Sequence, residues 1–155
     1  YIIRMVIQPG SLILGSLISG VIGLVTVEYR FRRNKRKEIE AWYERTLQLA
    51  KQVDSDIQFG IDTTVEDIEH INLNQKQRKY RVLHDLLQRH ISEAPPEIET
   101  KVIIYTESLA TRSYAVVEAD SHVELITETV LTNGAVSEVI HRVQSVKRDT
   151  KWPLL

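Results

Sequence analysis

Residues 5–27 read MVIQPGSLILGSLISGVIGLVTV, and residues 28–37 read EYRFRRNKRK. The first stretch has no charged residue; the second has seven, six of them Lys or Arg. An apolar run closed by a cationic block is the pattern of a membrane span and its stop. A bilayer core is roughly 30 Å thick, so a helix rising about 1.5 Å per residue needs about 20 apolar residues to cross it. Gly10 to Val27 supplies 18, and Met5 to Gln8 can extend them. Pro9-Gly10-Ser11 reads as the helix start, with Ser11 able to cap and Pro9 lacking an amide hydrogen that would need a partner.

Cation asymmetry sets the orientation. Arg4 alone precedes the run, whereas Arg30, Arg32, Arg33, Lys35, Arg36 and Lys37 come after it. Lys and Arg stay on the cytoplasmic side, so the N-terminus is expected outside and the remainder at the cytoplasmic face of the cell membrane. The cluster would also meet anionic headgroups, and Tyr29 and Phe31 fall where an interfacial aromatic belt would lie. A cleaved signal peptide would carry its charges before the apolar run and a small-residue cut site after it, the reverse of what stands here. The resulting division is a short extracytoplasmic segment at 1–9, a transmembrane helix at 10–29, a basic stop at 30–37, a cytoplasmic helical domain at 38–148 and a tail at 149–155. Met5 is the only methionine and reads as a natural start, which would leave residues 1–4 without a role.

Ser11, Gly15, Ser19 and Gly23 recur every four residues within the span, and Ser16 and Gly20 form a parallel track. Small residues at this spacing let two helix backbones approach closely in lipid, where the hydrophobic effect adds little to association. The face predicts a homo-oligomer or a partner membrane helix.

The chain has 155 residues and a formal net charge of −1. The part after the span is long enough for one small domain with its own core. A hydrophobic content of 43% against 26% charged is that of a folded chain. Absence of cysteine excludes disulfides, thiolate chemistry and cysteine metal sites, and agrees with a reducing compartment.

Helical periodicity dominates the rest, so the expected fold is all-α. The span should continue into a long helix over about 28–58, with Ile39, Trp42, Thr46, Leu49, Val53 and Ile57 on one stripe and Gly60 as its stop. Trp42 is expected in a protein core, not at the membrane. About four further helices make a bundle. A short one covers about 64–71 in an acidic stretch. One at 75–92 carries Tyr80, Leu83, Leu87 and Ile91 and stops at Ala94-Pro95-Pro96. One at about 97–118 carries Ile98, Val102, Tyr105, Leu109 and Val116. From Ser121 a capping box, Ser121-x-x-Glu124, opens a helix with Val123, Ile126 and Val130 on its core face, closed by Asn133-Gly134. A last helix at 135–148 packs Val136, Val139, Ile140, Val143 and Val146. Residues 122–140 also fit a β-hairpin turning at Asn133-Gly134; the capping box and the 3.6-residue period favour helix.

Chemistry-bearing motifs are sparse. His70, His84, His90, His122 and His141 include no pair at i, i+3 or i, i+4, the spacings that put two imidazoles around one metal on a helix, and they read as solvated or capping residues. Asp54-Ser55-Asp56 with Gly60 misses the calcium-loop register, which places Phe59 and Val65 where glycine and glutamate are needed. There is no nucleophile elbow, phosphate-cradling glycine loop or zinc-protease motif. No catalytic residue, metal or cofactor is expected. A second basic cluster, Lys76, Arg78, Lys79 and Arg81, could contact an anionic group or pair with the acidic residues of 54–69; it is too small for a nucleic-acid surface.

Over residues 5–53 the layout of Met5-x-x-Gln8-Pro9-Gly10, a Gly/Ser-rich span, an Arg-rich stop and EIEAWYERTLQLAKQV resembles small uncharacterised membrane-anchored proteins of halophilic archaea. The resemblance implies an anchor and no activity. It departs from that pattern in charge, since 21 acidic residues nearly balance 20 basic ones. The function expected is a non-enzymatic scaffold or tether, presenting a helical protein-interaction domain at the membrane's cytoplasmic face. The alternative is an effector or sensor whose domain binds a ligand or partner and whose span transmits the signal by oligomerising or perturbs the membrane.

Overall fold

The computed structural model describes residues 9–61 and 72–149, with side chains at 20–54 and 72–149. It is all-helical, with no strand among the described residues: α1 (Pro9–Ile61), α2 (Leu73–Ser92), α3 (Thr100–Val117) and α4 (His122–Asp149). The chain divides between Glu38 and Ile39 into two units. The expected short helix at 64–71 and the tail beyond Asp149 lie outside the described residues.

α1 is a single helix of 53 residues, so the described part of the uncharged run and the long helix after it are continuous, as expected. Pro9, Ser11 and Gly60 all lie within its described length. In the first unit, Val21, Ile22, Leu24, Val25, Val27, Tyr29 and Phe31 are all exposed. Among the described residues no helix is long and apolar enough to cross a membrane. Of the uncharged stretch at 5–27, only residues 20–27 have described side chains.

The second unit is a bundle. α2 opens on Asn72, whose side chain accepts from the Gln75 amide at 3.1 Å, and closes before the two prolines. Residues 94–99 turn the chain back, with the Ile98 amide donating to the Pro95 carbonyl. α3 begins at Thr100, so Ile98, expected inside the helix, is a buried turn residue instead. Trp42 and Tyr43 of α1 meet the end of α2 and the start of α3, and Glu44 meets Lys147 near the end of α4. Gln77, early in α2, donates to the carbonyl of Ala119, just past α3. These pairings fix an up-down-up-down order for residues 39–53 of α1, α2, α3 and α4. The core is built by Leu49, Val53, Tyr80, Leu87, Val102, Leu109, Val116, Val136, Val139 and Val143, all essentially inaccessible. Each such side chain contributes about 1.5–3 kcal/mol by leaving water.

The largest departure from expectation is α4. The structure has one helix of 28 residues across 122–149, in place of two helices, or a hairpin, hinged at Asn133-Gly134. An Asn-Gly hairpin turn needs positive φ, and no described residue has it. Continuity changes which face points inward. Val143, Val139 and Val136 set the phase, and steps of four and three carry it back through Thr132 and Thr129 to Leu125, all buried. Val123 and Val130, expected in the core, are 70% and 44% exposed. The opening is as the capping box predicts. Ser121 Oγ accepts from the Glu124 amide at 3.1 Å, and the Glu124 carboxylate reaches back to the Asp120 amide at 2.9 Å.

Gly134 is thus an exposed glycine in mid-helix, and a methyl group there would meet nothing within 4 Å. Glycine loses more backbone entropy than alanine in such a place. Gly134→Ala should therefore stabilise the bundle by about 0.5–1 kcal/mol and raise Tm by a few degrees in a thermal melt. A lower Tm would refute the continuous helix through residue 134.

Candidate functional site

Helix ends leave carbonyls and amides without intrahelical partners. At the end of α2 the Glu93 and Ala94 amides take the carbonyls of Arg89 and Ile91. The carbonyl of His90 is taken by Trp42, whose indole N–H donates to it at 3.0 Å. The same indole lies flat on the His90 imidazole, with ring centroids 4.4 Å apart and planes 11° from parallel. One turn along α1, Thr46 Oγ1 stands 2.8 Å from His90 Nε2. Because the Thr46 hydroxyl donates to the Trp42 carbonyl at 3.0 Å, the ring supplies the other proton, which assigns the Nε2–H tautomer. Tyr43 adds its ring edge-on to Trp42, and its hydroxyl accepts from the Glu99 amide at the start of α3 at 3.2 Å.

Residues 42–46 of α1 therefore bind backbone groups at the termini of two other helices. Trp42, Thr46 and His90 are all buried. Burial pushes the imidazole pKa down, the Arg45 charge pushes it further the same way, and Glu93 opposes them. The ring is neutral at pH 7. Two ion pairs close the same end of the bundle: Arg142 with Glu99, which spares that carboxylate from capping α3, and Lys147 with Glu44, which holds the Glu44 carboxyl below its usual range.

Trp42 is expected in a core and is there. His90 corrects the reading of the histidines as solvated or capping. It continues the buried series Tyr80, Leu83, Leu87 at spacings of three, four and three, a periodicity that would have placed it inward had histidine been counted with the core formers; Ile91, expected in that series, is only partly buried. His84 is also held, its Nδ1 donating to the Ala110 carbonyl at 2.9 Å beside the Tyr114 ring. His122 is half-buried and His141 is exposed; His70 lies outside the described residues.

The other predicted sites, where their side chains are described, lie mostly on exposed helix faces. Ser11, Gly15, Ser16 and Ser19 lie outside the residues with described side chains. Gly20 and Gly23 are exposed, with open space where a side chain would begin. Arg30, Arg32, Arg33, Arg36 and Lys37 are exposed and Lys35 half-buried; Arg32 pairs with Glu28 at 2.7 Å, and the Lys35 ammonium lies 5.9 Å from the Phe31 ring centre. On α2, Arg78, Lys79 and Arg81 are surface residues and Lys76 is half-buried. The acidic stretch expected to pair with them is mostly outside the described residues. Among the described residues no three His, Asp or Glu side chains converge to hold a metal. No protein-family model, curated protein or solved structure matches the chain.

Two substitutions grade the joint between α1 and α2. Trp42→Ala removes a buried indole and should cost about 3–5 kcal/mol, a large share of the 5–15 kcal/mol that typically holds a domain. Thr46→Val keeps the shape but orphans the Nε2–H donor, and should cost about 1–3 kcal/mol. Denaturant unfolding measures both; a Trp42→Ala protein as stable as wild type would remove the joint from any account of stability.

Proposed function

We propose that the chain is a single-span membrane protein, N-terminus outside, that acts as a non-enzymatic scaffold or tether by presenting a helical interaction domain at the cytoplasmic face. The observation that carries this reading is the junction at residues 20–37. Exposed Val21, Ile22, Leu24, Val25 and Val27 end an uncharged run, and exposed Arg30, Arg32, Arg33, Arg36 and Lys37 come next on the same helix. Water does not favour so many large apolar side chains on one contiguous segment, whereas lipid does, and the cations suit the cytoplasmic headgroups. The proposed partners are the bilayer, a second copy or another membrane helix through the small-residue face, and a protein on the cytoplasmic side.

Topology is directly measurable. A reporter fused after Leu155 should be active only in its cytoplasmic form, and the protein should resist alkaline extraction from membranes. Replacing Arg30, Arg32, Arg33, Lys35, Arg36 and Lys37 by neutral residues should produce mixed orientations. A reporter active only outside, or a protein released at high pH, refutes the reading.

Association is tested by Gly15→Leu with Gly23→Leu. Space is open at Gly23 within the chain, so the added bulk there acts between chains. Cross-linked dimer in membranes should fall, by an amount equivalent to about 1–3 kcal/mol of overpacking, while Leu14→Ala leaves it unchanged. Equal dimer yields for wild type and the double variant would exclude this face.

A further inference from the structure

A neutral, buried imidazole is the point at which α1 is tied to α2. Its ring face is covered by Trp42, its Nε2–H is accepted by Thr46, and its own carbonyl receives the Trp42 indole N–H. A second ring proton adds a positive charge that has to be solvated or paired, in a position where stacking and burial exclude water. The groups around the ring supply only part of the pairing. From α1 the Arg45 charge repels it while the Trp42 backbone carbonyl favours it, and from the end of α2 the exposed Glu93 carboxylate favours it; burial and Arg45 outweigh both. The charges that α3 and α4 bring to this end are engaged, Glu99 with Arg142 and Lys147 with Glu44. Leaving the pocket resolves the conflict. In water the imidazolium is solvated; the negative end of α2 favours the cation in either state, so solvation is what release adds.

We propose that the Trp42–Thr46–His90 contact is a proton-sensitive latch that releases residues 39–53 of α1 from α2, α3 and α4 when His90 becomes charged. The direction is set by linkage. Folded His90 holds its proton less tightly than the unfolded or released chain, whose value lies near 6.5. Between the two values the released state binds more protons, so the closed latch is fully favoured above about pH 6.5 and weakens as pH falls below it. Glu44, whose carboxyl Lys147 holds below its usual range, titrates at more acidic values than this window. The released part is the apolar stripe of Leu47, Leu49, Ala50 and Val53, and the remaining three helices keep the contacts of α3 with α2 and with α4.

The chain has no cysteine, so single introduced thiols report opening directly. Three are made in the full chain in mild detergent: Ala50→Cys in the seat of α1, Ala110→Cys in α3, each buried with 0% exposure, and Lys51→Cys as an exposed reference. Labelling by a methanethiosulfonate reagent, divided by the Lys51→Cys rate at each pH, corrects for thiol ionisation. Between pH 7.5 and 5.5 the corrected rate at Ala50→Cys should rise, because the closed state holds the His90 proton less tightly than the released state. The rate at Ala110→Cys should stay flat, and His90→Gln should abolish the rise. Two surface variants keep the test decisive if His90→Gln does not fold. Because Arg45 lowers the imidazole pKa in the closed bundle and Glu93 raises it, Arg45→Gln should narrow the gap between closed and released states and move the midpoint of release to lower pH, and Glu93→Gln should widen it and move the midpoint to higher pH. A flat Ala50→Cys profile overturns the latch. So does a parallel rise at Ala110→Cys, which would mean global unfolding, or a midpoint indifferent to both surface variants.

Discussion

The bundle depends on how α1 is held. α2 meets α3 and α3 meets α4 across short turns that bring consecutive helices together antiparallel. α1 has no short turn, because residues 62–71 separate it from α2. Its position is set by side chains that reach further: an indole and a phenol that satisfy backbone groups at the ends of α2 and α3, with Thr46 closing on the His90 ring. Hydrogen bonds to unpaired helix termini are directional, and leaving those groups buried and unmade costs more than making them gains. They select one register for α1 among the several that a stripe of Leu, Ala and Val would accept.

The interior is more polar than a Leu/Val stripe implies. Thr46, Thr106, Ser113, Thr129 and Thr132 are buried, and each hydroxyl donates to the carbonyl four residues earlier. That bond satisfies the hydroxyl within its own helix, so a small polar residue can occupy a core position without a partner across the interface. In α4 this has a consequence for the surface. With Thr129 and Thr132 turned in, Val123, Val130 and Leu131 are left out. Helix continuity through Gly134 forces the exchange, since burial of Ala135, Val136, Val139 and Val143 outweighs the exposure of two valines and a leucine.

The sequence alone determined the helical class, the unbroken passage from the apolar run into the long helix, the inward setting of Trp42, and the capping of α4 by Ser121 and Glu124. Those are local matters: periodicity, the absence of breakers, and side chains that bond to amides three and four residues away. Tertiary structure decided the rest. Whether Asn133-Gly134 would turn depended on what the flanking halves could bury together, because a glycine's preference is worth about 1 kcal/mol and a buried face several times that. The inward place of His90 depended on a carbonyl, a hydroxyl and a flat ring arriving from other positions in the chain. No spacing within α2 announces those partners, since Trp42 and Thr46 lie more than forty residues before it. A histidine's surroundings, and with them its charge, are properties of the packed chain.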